Sequence, residues 1–313
     1  MPINVVFMGT PDFAVASLKK IHSTFPVTAV VTVPDKPKGR GLAVQPSAVK
    51  EAALALGIST ILQPASLKDP VFLEALQALQ PDIIAVVAFR ILPREVYTLA
   101  RLGAFNVHGS LLPKYRGAAP INWAIVNGET GSGVTSFLLA DSVDTGAMLG
   151  RRTISIPDGT TAGDLHDMLM PIGGELALET CQMLASGTIK PIPQNDTEAT
   201  KAPKIFRDTC HINWNQPAQT VRNFIHGMSP HPGAWTLWAD GKTLKIMRCT
   251  IVENSSLKAG EYSINLSSSA ATWIVGCADG ALELTEIQPE GKRMMGTVDF
   301  IRGYRGAASG FFA

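Results

Sequence analysis

An amide and an imidazole stand two residues apart at the end of an apolar run, as Asn106 and His108. In an extended segment, side chains two positions apart point to the same side. Gly109 and Pro113 then turn the chain away before a helix predicted near Ala118. An amide can stabilise a developing oxyanion, and an imidazole can move a proton near neutral pH. Such a pair suits acyl transfer.

A carboxylate follows a second apolar run, in the segment Ala-Asp-Ser-Val-Asp-Thr-Gly that ends at Gly146. The spacing of Asp141 and Asp144 is less dense than a calcium-binding loop requires. We therefore interpret Asp144 as the partner of His108, where it would fix the imidazole tautomer and stabilise the imidazolium. Each of these residue types also serves in turns and packing, so the hypothesis requires that the three side chains meet.

Strands that alternate with helices are predicted to position these groups. Apolar runs predict strands over residues 3–8, 27–33, 58–62, 82–89, 104–107 and 134–139. Helices are predicted between them, including 47–56 with Ser47 as N-cap and 71–79. This alternation indicates a doubly wound, mainly parallel α/β sheet of the Rossmann-like kind. Ligands of such sheets lie beyond the carboxyl ends of the strands, where the candidate side chains would converge.

The predicted secondary structure changes in the second half of the chain. Residues 160–187 predict a long helix that Pro171 kinks or breaks. Residues 190–203 are polar and contain prolines without apolar periodicity, which is typical of a linker. Short β-type runs separated by turns follow and predict a small OB-like β-barrel. We expect a catalytic domain over 1–189, a linker over 190–206 and a C-terminal barrel over 207–313.

Composition narrows the function classes. The net charge of +1 over 313 residues excludes a global basic field, so a nucleic acid would have to bind through local patches. No apolar stretch is long enough to cross a bilayer, and the N-terminus reads as a strand instead of a signal peptide. The four scattered cysteines predict buried thiols without a zinc site or disulfide. Residues 7–12 lack the second and third glycines of the dinucleotide fingerprint, so we do not expect NAD. We expect no bound metal either.

The segment 106–120, with Asp144-Thr-Gly146 behind it, resembles the signature of folate-dependent formyltransferases. The similarity extends from residues 7–12 through the loop 35–41 to residues 287–292. The resemblance implies that 10-formyltetrahydrofolate donates a formyl group to the α-amino group of methionine carried on initiator tRNA. It implies that Asn106, His108 and Asp144 form the catalytic set.

The resemblance also implies two walls of a folate slot, because an apolar cleft with backbone polar groups suits a flat pterin. One wall would comprise Ser110, Leu111, Leu112 and Pro113, and the other Phe89, Ile91 and Leu92. The chain departs from the family pattern at the second wall. The family usually has an aromatic residue followed by glycine, whereas this chain has Phe89 and Arg90.

The loop 35–41 carries three cations, Lys36, Lys38 and Arg40, and resembles the loop that engages the tRNA acceptor end. Arg40 is the strongest candidate, since its planar fork can contact a phosphate or a base edge. We expect a cytoplasmic monomer that binds neither DNA nor membrane. Two alternatives stay open: a formyltransferase for a small amine, such as a purine precursor or nucleotide sugar, or a non-catalytic RNA-binding protein. The cationic loop and the separate C-terminal domain argue against a small acceptor.

Overall fold

The computed structural model describes residues 3–38, 43–238, 241–253, 255–267 and 271–312, and the chain divides into two compact units. The first unit comprises Met1–Pro120, Ser132–Ile154 and His166–Lys201, and the second comprises Ile121–Gly131, Ser155–Leu165 and Ala202–Ala313. Each unit is therefore assembled from three stretches of sequence. Residues 190–201 belong with the first unit, while the domain boundaries expected from the sequence remain a prediction.

A seven-stranded sheet forms the centre of the first unit. The strands in the first 202 residues are β1 (Val5–Gly9), β2 (Val27–Val31), β3 (Lys36–Lys38), β4 (Ala43–Gln45), β5 (Ile61–Leu62), β6 (Ile83–Val87), β7 (Gly103–His108), β8 (Arg116–Gly117), β9 (Gly131–Leu138), β10 (Met148–Ser155) and β11 (Lys201–Ala202). The sheet order is β10-β9-β7-β6-β1-β2-β5. The pairs among β5, β2, β1, β6 and β7 are parallel, and β9 runs antiparallel to β7. The predicted mainly parallel α/β fold is confirmed.

Six helices lie between these strands along the chain. They are α1 (Phe13–His22), α2 (Ala48–Ala55), α3 (Pro70–Ala78), α4 (Arg94–Tyr97), α5 (Pro120–Val126) and α6 (Ala162–Ser186). Every residue of β1 and β6 is buried, as strands covered on both faces require. On one face, Val6 and Met8 of β1 join a core with Phe72 and Leu76 of α3.

The helix α6 is continuous through Pro171, so the expected break is wrong, while the alternative of a kink stays a prediction. Proline removes one hydrogen bond of the helical ladder, but buried side chains hold the helix on both sides of it. Leu169 precedes Pro171 and Leu176 follows it, and both are almost fully buried. Tertiary packing therefore outweighs the local effect of the proline.

The polar segment predicted as a linker is ordered against the first unit over residues 192–200, which we call the strap. Ile192 exchanges two backbone hydrogen bonds with Met148, each 2.8 Å long. A 3₁₀ turn spans Asp196–Glu198, and the Arg116 amide donates to the Thr200 carbonyl oxygen over 2.9 Å. The strap thus runs along the strand β8 and the start of β10.

An antiparallel sheet forms the second unit together with two helices. The elements are α7 (Ala218–Met228), β12 (Ala234–Leu237), β13 (Thr243–Val252), β14 (Glu261–Asn265), β15 (Thr272–Gly276), β16 (Ala281–Pro289), β17 (Met295–Gly296), α8 (Thr297–Gly303) and β18 (Ser309–Phe311). The order is β12-β13-β16-β15-β14-β18, and β17 pairs with β16. Trp273 and Tyr262 lie fully buried in its core. This curled sheet agrees with the predicted OB-like domain.

The four cysteines are buried, and burial determines their reactivity. Desolvation raises the pKa of each thiol. The thiols therefore stay protonated and unreactive at neutral pH.

In the described part of the chain, no helix has the length and apolar character needed to cross a membrane.

His226 of α7 is a buried titratable group of the second unit. The imidazole is buried and its Nε2 lies 3.1 Å from the Cys249 carbonyl oxygen. Desolvation, with the nearby Arg222 guanidinium, lowers the pKa of His226 from 6.5 to about 4. Between these values the unfolded chain binds more protons than the folded one, so stability rises with pH in this window.

We therefore expect the free energy of unfolding to fall by about 2–3 kcal/mol as the pH drops from 7.5 to 4.5. Urea denaturation of the wild-type protein at both pH values measures this loss. In His226→Gln, which keeps a hydrogen-bonding side chain but does not titrate, the same pH step should have a smaller effect. An equal pH dependence in both proteins would rule out His226 as its source.

Candidate active site

The buried imidazole of His108 lies at the carboxyl end of β7. Its Nε2 is 2.8 Å from the carbonyl oxygen of Tyr115. Since a carbonyl oxygen can only accept, the neutral ring carries its proton on Nε2 and keeps the lone pair on Nδ1. Nδ1 faces Asp144, with 3.7 Å to Oδ2. The tautomer is therefore set by the Tyr115 carbonyl and not by Asp144, which corrects one part of the sequence-based interpretation.

Asp144 lies in the loop between β9 and β10, with its side chain largely buried. The Gly117 amide donates to Oδ2 over 2.9 Å, so the same oxygen faces both this N–H and His108. The loop is tightly confined at Gly146, where a Cβ atom would meet the Leu138 carbonyl oxygen at 1.7 Å. A proton gained by His108 at Nδ1 would thus rest beside a fixed carboxylate.

Asn106 lies two residues before His108 on β7 and is half-buried between neighbouring strands. Its backbone pairs with Val86 on β6 and with Phe137 on β9. Its Oδ1 is buried and has no hydrogen-bond partner among the described residues. An unsatisfied buried polar atom costs about 1–3 kcal/mol. A bound ligand that satisfies the amide would explain why the group is kept here.

Backbone strain is concentrated around these side chains. The non-glycine residues with left-handed φ in the described part of the chain are Gln80, Ala88, Tyr115 and Asp144, with φ between 47° and 62°. Ala88 directly follows β6, while Tyr115 and Asp144 contact His108. Such conformations cost about 1–3 kcal/mol each and persist where surrounding contacts hold them, frequently at active sites.

The loop 110–113, predicted as one folate wall, is held by Thr135 of β9. The Thr135 hydroxyl donates to the Ser110 carbonyl oxygen over 2.7 Å and accepts from the Leu112 amide over 3.1 Å. Ser110 donates its hydroxyl to the Lys114 carbonyl oxygen over 2.7 Å. Ser110, Leu112 and Pro113 are buried, and Leu111 is partly exposed. Hydrogen bonds to Thr135 and within the loop therefore hold residues 110–114 in place.

The second predicted wall, residues 89–92, departs from the family pattern at Arg90, whose side chain is bound by other parts of the protein. Arg90 donates from Nη1 and Nη2 to the carbonyl oxygens of Ala65 and Pro64, over 3.0 and 2.9 Å. Its guanidinium lies 5.2 Å from the Phe89 ring centroid, and burial lowers the pKa of Arg90. The strained φ falls at Ala88, so position 90 has no need of glycine. Ile91 is exposed and Leu92 is half-buried.

Of the predicted tRNA-binding loop, residues 35–41, the structure describes only residues 35–38. Lys36 is exposed at the start of β3 and pairs with Gln45 of β4. The root of the loop is anchored at Asp35, whose carboxylate bonds Lys50 and Gln63 over 2.5 and 2.7 Å. The Lys50 hydrogen bond holds the pKa of Asp35 below its usual value. The Lys38 side chain and Arg40 lie outside the described residues.

Two family models match the chain on either side of the strap. The formyl transferase family matches residues 3–180, and the formyl transferase C-terminal domain matches residues 204–305. The methionyl-tRNA formyltransferase of Caldanaerobacter subterraneus subsp. tengcongensis is 47% identical over 96% of this chain and 97% of that protein. That of Parabacteroides distasonis is 44% identical over 97% of this chain and 96% of that protein. This chain belongs to the methionyl-tRNA formyltransferase family.

Solved structures that resemble this family member share its fold at low sequence identity. An N-formyltransferase from Helicobacter canadensis, in complex with folinic acid and dTDP-3-aminofucose, has a TM-score of 0.67 at 20% identity, over 92% of this chain and 99% of that chain. HypX from Aquifex aeolicus, in complex with tetrahydrofolic acid, has a TM-score of 0.65 at 18% identity, over 100% of this chain and 51% of that chain. The chain therefore spans about half the length of HypX.

In this methionyl-tRNA formyltransferase family member, Asp144 lies beside His108, and Asn106 lies two residues before His108 on β7. Their catalytic roles stay a prediction. The structure also adds two residues that sequence reasoning missed. Thr135 is a buried polar residue within the strand β9. A polar residue in a predicted buried strand could have indicated such a role from the sequence. Tyr115 acts through its carbonyl oxygen, which any residue type could supply, so no side-chain pattern could have revealed it.

Proposed function

We propose that this chain, a member of the methionyl-tRNA formyltransferase family, uses 10-formyltetrahydrofolate to formylate the α-amino group of methionine on initiator tRNA. The products are N-formylmethionyl-tRNA and tetrahydrofolate. The observation that carries the proposal is the pair of His108 and Asp144, with 3.7 Å between Nδ1 and Oδ2, and with Asn106 two residues before His108 on the same strand. The folate ligands named in the two related structures support the choice of donor.

The residues present fit a folate donor. The unsatisfied amide oxygen of Asn106 is buried at the strand end and marks a place where a ligand would complete the polar contacts. The donor would bind between the two proposed walls: Ser110, Leu111, Leu112 and Pro113 in one, and Phe89, Ile91 and Leu92 in the other. The first wall is rigid through Thr135, and the second is tied down by Arg90. When bound, the donor supplies the formyl carbon and accepts the electrons of the C–N bond that breaks.

His108 acts as the base of this reaction. Its Nδ1 takes the proton that the amine must lose as nitrogen bonds to the formyl carbon, and returns a proton to the departing folate nitrogen. Asp144 stabilises the imidazolium formed between these two transfers, because its Oδ2 faces Nδ1. Asn106 donates an amide N–H to the formyl oxygen as that oxygen gains negative charge.

The tRNA is held by local cations, since the net charge of +1 supplies no general attraction. Lys36, Lys38 and Arg40 approach the acceptor end, where Arg40 contacts a phosphate or base edge. The chain works as a cytoplasmic monomer and uses neither DNA nor a membrane. The names of the relatives that are 44–47% identical over almost the whole chain favour methionyl-tRNA over a nucleotide sugar as the acceptor.

Formyl transfer is tested by incubating the purified chain with charged initiator methionyl-tRNA and 10-formyltetrahydrofolate labelled in the formyl group. We expect the label to appear on the aminoacyl nitrogen, and little transfer to a free amino sugar nucleotide. A preference for the small amine would reject the tRNA assignment. A folate-dependent rise in Tm separates an enzyme from an RNA-binding protein without a folate site, because a bound ligand raises apparent stability.

A further inference from the structure

The side chain of Gln194, in the middle of the strap, joins two loops of the active site. Its Nε2 donates to the carbonyl oxygens of Asp144 and Gly146 over 2.9 and 2.8 Å. Its Oε1 accepts from Nε and Nη2 of Arg116 over 3.0 and 2.8 Å. One neutral amide thus binds both the loop that carries Asp144 and the strand β8.

The segment 115–117, to which Gln194 binds, contacts both members of the proposed acid–base pair. Its first residue accepts from His108 Nε2 through the Tyr115 carbonyl oxygen, and its last donates the Gly117 amide to Asp144 Oδ2. The strap holds this segment a second time at Thr200, whose Oγ1 accepts from the Tyr115 amide over 2.8 Å. The orientation of both catalytic side chains therefore depends on where the strap fixes residues 115–117.

The local backbone explains why such support is needed. Asp144 has φ of 55°, a left-handed conformation that the loop would leave if it were free. Both carbonyl oxygens that flank Thr145 point at the single NH₂ group of Gln194. Asp196 also contacts Arg116, at 2.7 Å, but its side chain is 81% exposed and the pair is weakened by solvent. Gln194, and not Asp196, is thus the contact that couples Arg116 to the Asp144 loop.

We propose that Gln194 is a positioning residue that holds Asp144 in register with His108 and thereby raises the rate of formyl transfer. The proposal rests on the proposed catalytic roles of His108 and Asp144. It assigns a function to a segment whose composition is that of a linker. Because a displacement of about 1 Å can cost about 10²-fold in rate, the loss of the amide donors should be visible in kcat.

The sharpest variant is Gln194→Glu, which keeps the size and the acceptor for Arg116 but loses both donors to the loop carbonyl oxygens. We expect kcat to fall about 10- to 100-fold with KM for methionyl-tRNA changed less than threefold, since Asp144 acts on the reacting groups. Asp196→Asn, which alters the exposed partner of the same arginine, is the matched control and should keep kcat within about twofold. Gln194→Met, similar in volume and without amide atoms, replaces Gln194→Glu if the latter does not fold.

A double-mutant cycle with Asp144→Asn decides whether Gln194 acts through Asp144. If it does, Gln194→Glu lowers kcat much less in the Asp144→Asn background than in the wild type. Equal losses in both backgrounds would overturn the positioning role and leave the proposed function intact. Full activity of Asp144→Asn would overturn the role of Asp144 and this proposal with it, whereas absence of transfer by the wild type would reject the proposed function itself.

Discussion

Replacing His108 with alanine is expected to lower kcat by about 10²–10⁴-fold, because the reaction loses the group that accepts the amine proton. The bond from Nε2 to the Tyr115 carbonyl oxygen leaves the lone pair of His108 on Nδ1, which is the atom that accepts this proton. Steady-state formyl transfer to methionyl-tRNA measures the loss.

The His108→Ala protein must also be shown to bind its ligands. Its Tm with and without folate should show the stabilisation seen for the wild type, since the imidazole contributes to the chemistry and the walls hold the donor. A kcat within a few-fold of the wild type, in a folded protein, would remove His108 from the mechanism.

Replacing Asn106 with alanine is expected to lower kcat by about 10²–10³-fold, through loss of the amide that stabilises the formyl oxygen. Stability should respond differently from activity. The wild-type side chain leaves a buried Oδ1 unsatisfied, so its removal is expected to leave Tm unchanged or to raise it.

Measured together, kcat and Tm test both parts of the interpretation of Asn106. A large fall in Tm would show that the Asn106 amide stabilises the fold, which would contradict the interpretation of its unsatisfied Oδ1 as a ligand contact. A normal rate with a normal Tm would show that the formyl oxygen gains no help from this side chain. Asn122→Ala is a useful comparison, because Asn122 donates to the Gly227 carbonyl oxygen over 2.7 Å and should lose Tm instead of rate.

The elements that carry the site could be predicted because their signals are local. A buried strand that ends at His108 is an apolar run followed by a polar pair, and the helix α2 begins at a serine that caps it, as Ser47 accepts from the Lys50 amide over 3.1 Å. Both depend on neighbours within a few residues. The meeting of Asp144 with His108 does not follow from the rule for parallel strands, because β9 runs antiparallel to β7 and its last residue, Leu138, pairs with Phe105 instead of His108.

The helix across Pro171 and the strap show where local signals fail. A proline and a polar, proline-bearing segment have strong local preferences, yet buried packing overrides the first and long-range hydrogen bonds order the second. Gln194 lies 50 residues from Asp144 and 78 from Arg116 along the chain. A single amide at such separations leaves no periodic pattern that a sequence could show.

The amino-acid sequence alone determined the class of fold, the strand that presents Asn106 and His108, and the kind of reaction these groups can perform. Only the tertiary structure decided which nitrogen of His108 is basic, what holds Asp144, and where Arg90 points. The physical reason is the range of the interactions. Strands and caps depend on side-chain types close in sequence, whereas tautomer, strain and positioning depend on backbone oxygens that the fold brings together from distant segments.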